Sequence, residues 1–544
     1  MKLKKVLASV LAASTALTMA GCSGDNTSGG STPAGNTSNG SGSTTSGGAS
    51  GGTSDSASSG SGESGEWWDT SLTKSLKVDE TNKDAWKGME LEVWTNRTDR
   101  LPTSKNGNGY LEEMVKPFEE HYGVKIKWDG FQDYNKTVTQ RLTGNNCSAD
   151  VLVDPGQFEI DEYKDYFLPL GIVSDLRDYN DITNKSINED ANETDSEKAT
   201  VYGVPTGCNG TGLTYNKKVW ADAGITTLPK TVDDFINDLR VIKEKNPDVV
   251  PIMAVYTGGD GFSMKEYTQW ASAISGDPDF KVKLMVNGGD IFTTGSPYYE
   301  MCRMMFEVYR NQDLREKDPT TTDWEACKML LAQGKVGTFA IGSWAVEQFK
   351  EAGKEAGVPD EELENITLMP VPYTAADGKQ YCRVGSDTVW TINKKIDAEK
   401  TELAKAFIKW WAEKSTYCKD QGFIPVLANA DKSQYPACFE DWAGITYFTE
   451  KAAPAAISKS WSNIDKKLAE TFLEETKLDE NHFKVRICQL GMAGGTLEEF
   501  QAILAEQNKN WSDNRLKNEA LAAFIETPEA EKYKDENFAK KQDW

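Results

Sequence analysis

A run of small polar residues near the N-terminus divides this chain into two parts with very different capacities to fold. Between Ser23 and Gly65 almost every residue is Gly, Ser, Thr, Asn or Ala. Such a segment cannot bury enough apolar surface to offset the entropy lost on ordering, so its composition predicts a flexible tether. A packed core must therefore come from the residues after about Trp67, which contain no second tether.

The residues before the tether predict export from the cell. Three lysines precede an apolar run, Val6 to Ala20, and small residues then lead to Cys22. This order is typical of a secretory signal, and about 15 apolar residues are fewer than the roughly 20 that a membrane-spanning helix needs. The cysteine placement resembles the lipobox of bacterial lipoproteins, which implies a signal peptide over residues 1–21 and a lipidated Cys22 that begins a tether over 22–66. An uncleaved anchor helix is the alternative, and it too would leave the rest of the chain outside the cell.

Charge and cysteine spacing narrow the range of partners. The formal net charge is −24, and binding to phosphates needs clustered Lys and Arg, so we expect no nucleic acid partner and favour a neutral ligand. The eight cysteines after Cys22 are widely scattered and form no CxxC pair, which predicts mostly buried free thiols rather than a zinc site. The acidic stretch 181–200 lacks the Gly and closing Glu of an EF-hand, so we interpret it as a solvated loop. No metal and no other cofactor is predicted.

The segments after the tether predict an α/β fold. Strand-like and helical segments alternate, which favours parallel strand pairing with right-handed crossovers; the strands are expected at 89–94, 124–128 and 149–153, with helices at 109–122 and 134–142. Thr231 followed by two acidic residues predicts a helix start. Further strands are expected at 249–256, 335–341 and 388–392, and an amphipathic helix at 402–413.

Four segments in this order resemble the extracellular solute-binding lipoproteins of bacterial sugar ABC importers, the family 1 group that includes maltose-binding protein. Besides the lipobox they are Tyr202–Ile225 with the following LPKTVDDF, Leu330–Phe349 (LLAQGKVGTFAIGSWAVEQF) and Gly385–Trp411 (GSDTVWTINKKIDAEKTELAKAFIKWW). In that family the first segment is a hinge crossing. The chain departs from shorter members by extra length at 357–379 and at the C-terminus.

The resemblance implies a two-lobed, venus-flytrap α/β fold with a hinge and a ligand cleft between the lobes. The first lobe would comprise residues 87–205 and 374–429, and the second 206–373 and 430–544. The chain would cross between lobes near Pro205, Tyr373 and Asn429. The expected protein is a monomer on the outer face of the cell membrane of a Gram-positive bacterium, held only by its lipid, which delivers its ligand to the permease subunits of an ABC transporter.

Polar residues that follow strands are the first candidates for the ligand site. In an open α/β sheet, ligands bind beyond the carboxyl ends of the strands. Asn96, Arg97 and Asp99 follow the first predicted strand, and Asp154, Gln157 and Phe158 follow the third. Sugar hydroxyls need directional donors and acceptors of this kind. The resemblance aligns Asp154 and Gln157 with a polar pair that binds hydroxyls, although Asp154 could instead cap the next helix.

Aromatic residues supply the second group of candidates, because the apolar face of a sugar ring packs on a flat indole or phenol ring. Trp344 occupies the stacking position of the family. Phe262, Tyr267 and Trp270 follow the strand at 249–256, and the resemblance puts Tyr267 near the ligand. Two further candidates complete the set: Asp387 beside a strand and Trp461 in the C-terminal part. Packing within the protein is the alternative for Trp344, Trp270 and Trp461.

The sequence predicts a binding protein rather than an enzyme. Only two histidines are present, His121 and His482, and neither lies near a GxSxG nucleophile elbow or in an HExxH motif. The 16 Trp and 19 Tyr favour an oligosaccharide over a monosaccharide as the ligand. The alternatives are a cell-surface glycoside hydrolase or lyase, for which two carboxylates would suffice, and a glycan sensor or adhesin with the same fold.

Overall fold

The computed structural model describes residues 75–538, apart from 103–107, 132, 159, 191–194, 257–261, 323, 440, 441, 443 and 452–481, and apart from the side chains of 160, 183, 184, 262–268, 324 and 325. All of these belong to one compact unit, Glu63–Trp544. Within them no helix combines the length and the apolarity needed to cross a bilayer.

The strands are distributed along the whole described chain, as the sequence predicts. In chain order they are β1 (Glu90–Trp94), β2 (Lys125–Asp129), β3 (Val151–Val153), β4 (Gly171–Ile172), β5 (Ser186–Ile187), β6 (Thr200–Val201), β7 (Val204–Pro205), β8 (Cys208–Gly210), β9 (Leu213–Asn216), β10 (Val250–Met253), β11 (Val336–Phe339), β12 (Ile366–Met369), β13 (Tyr381–Ser386), β14 (Val389–Ile392) and β15 (Thr446–Thr449).

The helices fill the intervals between these strands and dominate the C-terminal part. They are α1 (Tyr110–Met114), α2 (Lys116–Tyr122), α3 (Tyr134–Thr143), α4 (Tyr163–Tyr166), α5 (Lys217–Asp222), α6 (Val232–Lys245), α7 (Phe262–Ser275), α8 (Phe280–Asn287), α9 (Pro297–Arg310), α10 (Trp324–Ala332), α11 (Val346–Glu355), α12 (Asp360–Leu363), α13 (Thr401–Lys414), α14 (Tyr417–Asp420), α15 (Phe483–Met492), α16 (Leu497–Asn514) and α17 (Glu519–Ile525). Thr231 caps α6 as predicted, since its side chain accepts a hydrogen bond from the Asp234 amide.

Two larger sheets form the centres of two lobes, which confirms the α/β two-lobed prediction. The first sheet has the strand order β2-β1-β3-β14-β7, and β1 pairs in parallel with both β2 and β3. Helix α13 packs its buried face, including Phe407 and Trp411, into the core around this sheet. We call this part the first lobe. The second lobe surrounds the sheet β10-β11-β9-β12, with the C-terminal helices packed in its core through residues such as Phe500 and Trp511.

The lobes are joined where two chain crossings run antiparallel. One crossing leads from β7 to β8 and the other from β13 to β14. Across them the Thr206 amide donates to the Thr388 carbonyl over 2.8 Å, and the Asp387 amide donates to the Gly207 carbonyl over 2.9 Å. A third segment joins them at Ile424, whose amide donates to the Cys208 carbonyl over 2.7 Å.

Core packing favours a second crossing that lies later in the chain than the resemblance implies. Tyr373 packs against the core of the second lobe, and Cys382 and Val384 on β13 are buried in the adjoining core cluster of the same lobe. Trp390 on β14 is the first residue after them that belongs to the core of the first lobe. This packing favours a crossing at Asp387 and Thr388, since β13 pairs with β8 before β14 enters the first sheet.

Two other expectations from the sequence have clear outcomes. The eight cysteines of the described residues are free thiols, and all but Cys147 are buried, as predicted. The acidic stretch 181–200 is only partly a solvated loop. The stretch contains β5, and its last residue begins β6, with which β5 pairs. Asp181 and Ile187 are buried.

The first described residues are fixed to the first lobe. Leu76 is fully buried, and the buried Lys409 ammonium on α13 donates to Ser75 Oγ over 2.9 Å and to the Leu76 carbonyl over 3.0 Å. Glu413 lies 3.4 Å from the same ammonium and accepts from the Tyr179 hydroxyl over 2.6 Å. Since a buried charge is tolerated only with partners, this cluster ties the start of the described chain to α13.

Candidate ligand-binding site

The residues that follow β1 form a charged network at the hinge side of the first lobe. The Arg97 guanidinium donates to both carboxylate oxygens of Asp99, each over 3.0 Å, and to the Tyr417 hydroxyl over 3.0 Å. A longer bond of 3.3 Å reaches Gln421 Oε1. Burial alone would lower the pKa of Arg97, but Tyr417 and Asp99 raise it above its ordinary value. Arg97 is therefore a fixed cation whose charge Asp99 already balances.

Asn96 carries an unused hydrogen-bond acceptor beside this network. Its Oδ1 is buried and accepts no hydrogen bond from the described residues. Asn96 lines a small pocket together with Thr206, Thr388, Trp411 and Tyr417, at the point where the two crossings meet the first lobe. A buried amide oxygen without a donor is unfavourable, so this position suits a hydroxyl donor from a ligand or a water molecule.

Asp387 lies on the second crossing and is held from the side of β8. Its carboxylate accepts from Asn209 Nδ2 over 3.0 Å. Burial raises the pKa of Asp387, and the Asn209 hydrogen bond and the charge of Arg97 only partly oppose this effect. Like Asn96 Oδ1, the side-chain oxygen of Asn209, Oδ1, is buried and has no hydrogen-bond donor among the described residues. Asn96, Asn209 and Asp387 thus provide acceptors at the base of the junction between the lobes.

Asp154 is already occupied by the protein itself. Its carboxylate accepts from the Gly156 amide over 3.0 Å and from the Tyr163 hydroxyl over 2.5 Å, and Lys185 Nζ lies 2.8 Å from Oδ2. It caps no helix, since the residue that precedes α4 is Glu162. Three of the roughly four acceptor positions of this carboxylate are thus used within the protein, and a direct contact of Asp154 with a ligand stays a prediction.

The other two residues after β3 remain nearer to solvent. Gln157 is exposed, and Phe158 is half-buried and stacks on Tyr166 with ring centroids 4.2 Å apart. Phe158 also packs against the core of the first lobe. These contacts neither join the two residues to the Asn96 group nor assign them a ligand.

Trp344 lies where the cores of the two lobes meet. It is in a short 3-10 helix, Ser343–Ala345, that follows β11, and the half-buried indole packs against core clusters of both lobes. Ser343 holds this turn in place because its Oγ accepts from the Gly210 amide over 2.9 Å. Of the predicted aromatic residues with described side chains, Trp344 is the one at the junction between the lobes.

Trp270 does not support the prediction that it stacks on a ligand. It lies on α7 with 0% of its surface exposed, in the core of the second lobe. Both ring faces are covered by protein, so the alternative of helix packing holds in this conformation. Phe262 and Tyr267 lie on the same helix, but their side chains are outside the described part of the structure. Trp461 and Cys22 are also outside the described residues.

Three residues at the site were missed by the sequence analysis. Tyr417 and Gln421 anchor Arg97, and Asn209 holds Asp387. Burial raises the pKa of Tyr417 to about 12, so its hydroxyl stays protonated at neutral pH. Tyr417 and Gln421 are four residues apart directly after α13, so they lie on one face of the following helical turn. This spacing was the sequence signal that could have identified them as a pair.

The two histidines lie at the ends of helices. His482 is buried and caps α15, where its Nδ1 accepts from the Lys484 amide over 3.2 Å. His121 lies at the end of α2 with its ring 4.5 Å from that of Tyr122. Within the described residues, no group of three or more His, Cys, Asp or Glu side chains could hold a metal ion.

Comparison with known proteins gives one family and several relatives. Residues 102–416 match the family model described as "Bacterial extracellular solute-binding protein". The diacetylchitobiose binding protein DasA of Streptomyces coelicolor is 25% identical over 335 residues, which cover 60% of this chain and 70% of the relative.

Solved structures of similar proteins come from Bifidobacterium animalis subsp. lactis. BlMnBP1, a binding protein of an ABC transporter in complex with mannobiose, has a TM-score of 0.64 and 25% identity, and the match covers 82% of this chain and 97% of that one. The manno-oligosaccharide specific solute binding protein BlMnBP2, in complex with mannotriose, has the same score, identity and coverage.

Proposed function

This chain belongs to the family of bacterial extracellular solute-binding proteins, and we propose that it captures a neutral oligosaccharide for a sugar ABC importer. The observation that carries the proposal is the position of Trp344, whose indole contacts the cores of both lobes. A ring at that junction can stack on a sugar that both lobes enclose. The relatives support the ligand class, because their names specify diacetylchitobiose, mannobiose and mannotriose.

The proposed ligand contacts combine one stacking ring with hydrogen-bond acceptors. Trp344 provides the ring, and the buried oxygens of Asn96 and Asn209 accept from hydroxyl groups, with Asp387 beside them. Stacking against an indole removes about 50 to 100 Å² of apolar surface, which contributes roughly 1 to 3 kcal/mol. Arg97 supports an uncharged ligand, since Asp99 already neutralises it and an anionic sugar would gain little.

Binding drives closure by a population shift in this proposal. A ligand that touches both lobes favours the closed state by the difference between its contact energies in the two states. The closed form is then the one recognised by the permease. The sugar leaves the protein chemically unchanged, which separates this function from that of a glycoside hydrolase.

The proposal includes the attachment and the division of the chain. A lipid on Cys22 would moor a monomer to the outer face of the membrane through the tether 22–66. We propose a first lobe of residues 87–205 and 387–429 and a second lobe of residues 206–386 and 430–544, with the second crossing at Asp387. The pairing of the crossings supports this boundary.

A ligand screen on the full chain tests the proposed function. The probes are mannobiose, mannotriose and diacetylchitobiose, with an oligosaccharide of uronic acids as the charged comparison. We expect a rise in melting temperature and a calorimetric binding isotherm with at least one neutral probe, and recovery of that sugar intact by chromatography. Cleavage of the probe would identify an enzyme instead, and binding of the uronate alone would contradict the neutral ligand.

A further inference from the structure

One face of the segment that contains Trp344 is directed at the first lobe. Trp344, Glu347 and Glu351 are spaced at i, i+3 and i+7, so they share a helix face on α11 and the turn before it. Glu347 Cγ lies 3.3 Å from the position that a Cβ would take on Gly422 in the first lobe. Glu351, at the far end of this face, forms an ion pair with Arg100.

The Arg100–Glu351 pair joins the two lobes in a bidentate arrangement. Arg100 follows β1 in the 3-10 helix Thr98–Arg100, and its side chain is 2% exposed. Its Nη2 donates to Glu351 Oε2 over 2.8 Å, and Nη1 donates to Oε1. Two parallel bonds of this kind fix the geometry of both groups.

The same arginine is connected to the candidate ligand site. Asp99 Oδ2 lies 3.2 Å from Arg100 Nε and 3.0 Å from Arg97 Nη2. Asp99 therefore holds both arginines in place from the first lobe. Glu351 is the one member of this group of four charges that the second lobe contributes.

The pair exists only while the lobes are together. When the lobes separate, Glu351 moves away with the second lobe. The buried Arg100 guanidinium then keeps Asp99 as its anionic partner within this group. An interaction made in one state and lost in the other shifts the equilibrium toward the first. Since the Glu351 side chain is 44% exposed, salt weakens this attraction.

We propose that Arg100 and Glu351 form an interlobe latch that gives the closed conformation a population before any ligand binds. The latch goes beyond the proposed function, because it acts on the equilibrium between open and closed forms whatever the ligand is. It sets how much of the ligand's contact energy is needed to complete closure. Arg100 and Glu351 are positioning residues, since neither needs to touch the sugar.

Scattering from the unliganded full chain tests the latch without any sugar. The variants are Glu351→Gln, which removes the charge, and Glu351→Lys, which makes the pair repulsive. Glu351 is partly exposed, and the buried Arg100 keeps Asp99 as an anionic partner in both variants, so the fold should be retained. The matched controls are Glu355→Gln and Glu355→Lys, because Glu355 is exposed one turn later on the same helix.

We expect the radius of gyration at about 20 mM salt to increase from the parent chain to Glu351→Gln and again to Glu351→Lys, while the Glu355 variants match the parent. At about 500 mM salt, where charges are screened beyond roughly 4 Å, the difference between the parent and Glu351→Gln should shrink. Equal radii for the parent and both Glu351 variants would overturn the latch. The same increase in the Glu355 variants would overturn it too, since it would then be a general effect of charge.

Discussion

The hydroxyl oxygens of Thr206 and Thr388 lie 2.8 Å apart across the two antiparallel crossings that join the lobes. Thr206 belongs to the segment between β7 and β8, and Thr388 belongs to the segment between β13 and β14. Their backbones are also paired, and both residues line the pocket that contains Asn96. A change of angle between the lobes must therefore pass through residues that also border the candidate ligand site.

Substitution at Gly207 should show how tightly this hinge is packed. A Cβ at this position would lie 2.9 Å from Phe423 Cγ, closer than ordinary side-chain contacts allow. We expect Gly207→Ala to lower the free energy of unfolding by about 1 to 3 kcal/mol, as in other overpacked sites. Chemical denaturation measures the change. A loss in Gly207→Ala/Phe423→Ala that is smaller than the sum of the two single losses would identify the clash, and an additive loss in the double variant would contradict it.

Trp344 should matter for binding more than for folding. Truncation to Ala removes the proposed stacking ring, and we expect the dissociation constant for the oligosaccharide found in the screen to rise at least tenfold, about 1.4 kcal/mol. Trp344→Phe keeps a flat ring and should lose less. Isothermal titration calorimetry gives both values. A dissociation constant that stays the same in Trp344→Ala would reject this assignment.

Trp270 should behave in the opposite way. Because its indole is fully buried in the core of the second lobe, Trp270→Ala is expected to lower the free energy of unfolding by about 3 to 5 kcal/mol. Trp270→Phe, which leaves a smaller cavity, should cost less. Folded protein of the Phe variant should bind the oligosaccharide as the parent does. A large loss of affinity in that variant, with stability unchanged, would return Trp270 to the ligand site.

The buried carboxylate of Asp387 predicts a dependence of stability on pH. Its pKa in the folded chain is raised, chiefly by burial, above the ordinary value of an Asp. The folded chain therefore binds the carboxyl proton of Asp387 more tightly than the unfolded chain does. As a result, the contribution of Asp387 to the free energy of unfolding falls as pH rises through the raised pKa. Asp387→Asn keeps the shape and removes the titration. We expect the variant to be more stable than the parent at pH 7, with the difference disappearing as the pH approaches 4.

The measurement is the melting temperature of both proteins across this pH range without ligand. A matched control is Asp129→Asn, a carboxylate at the end of β2 in the first lobe. A difference between Asp387→Asn and the parent that grows on acidification would contradict the sign of the raised pKa.

The stability that the Lys409 cluster contributes should depend on the balance between the charges of Lys409 and Glu413. Lys409→Met removes the ammonium that binds Ser75 and Leu76 and leaves Glu413 buried without its cation. We expect a loss of about 3 kcal/mol in the free energy of unfolding, and a smaller loss in Lys409→Met/Glu413→Leu, where neither charge remains. Denaturant titration distinguishes the two cases. Equal losses in both variants would mean that shape, and not charge, governs this cluster.

The sequence predicted β1, β2, β3 and β14 of the first sheet, and the family, because these depend on local pattern, whereas the short strand β7 was missed. The alternation around β1 and β2 and the short apolar run at β3 lead directly to parallel pairing. The resemblance to family 1 solute-binding proteins is confirmed by the family match over residues 102–416. These signals are carried by neighbouring residues in the chain.

The surroundings of several site residues depend on partners that are distant in sequence. Asp154 follows a strand as a ligand residue would, but Lys185 lies 2.8 Å from it and fixes it internally. Trp270 shares its helix face with Tyr267, but burial is decided by the helices that pack from elsewhere in the second lobe. Tyr417 was missed because its contact with Arg97 spans 320 positions of sequence.

The attachment of Ser75 and Leu76 to Lys409 has a mechanical consequence. Tension along the N-terminal segment is delivered to α13 and the first sheet and does not cross the hinge. If the chain is held at Cys22, as we propose, the first lobe is the one that is held, and opening and closing are movements of the second lobe relative to it.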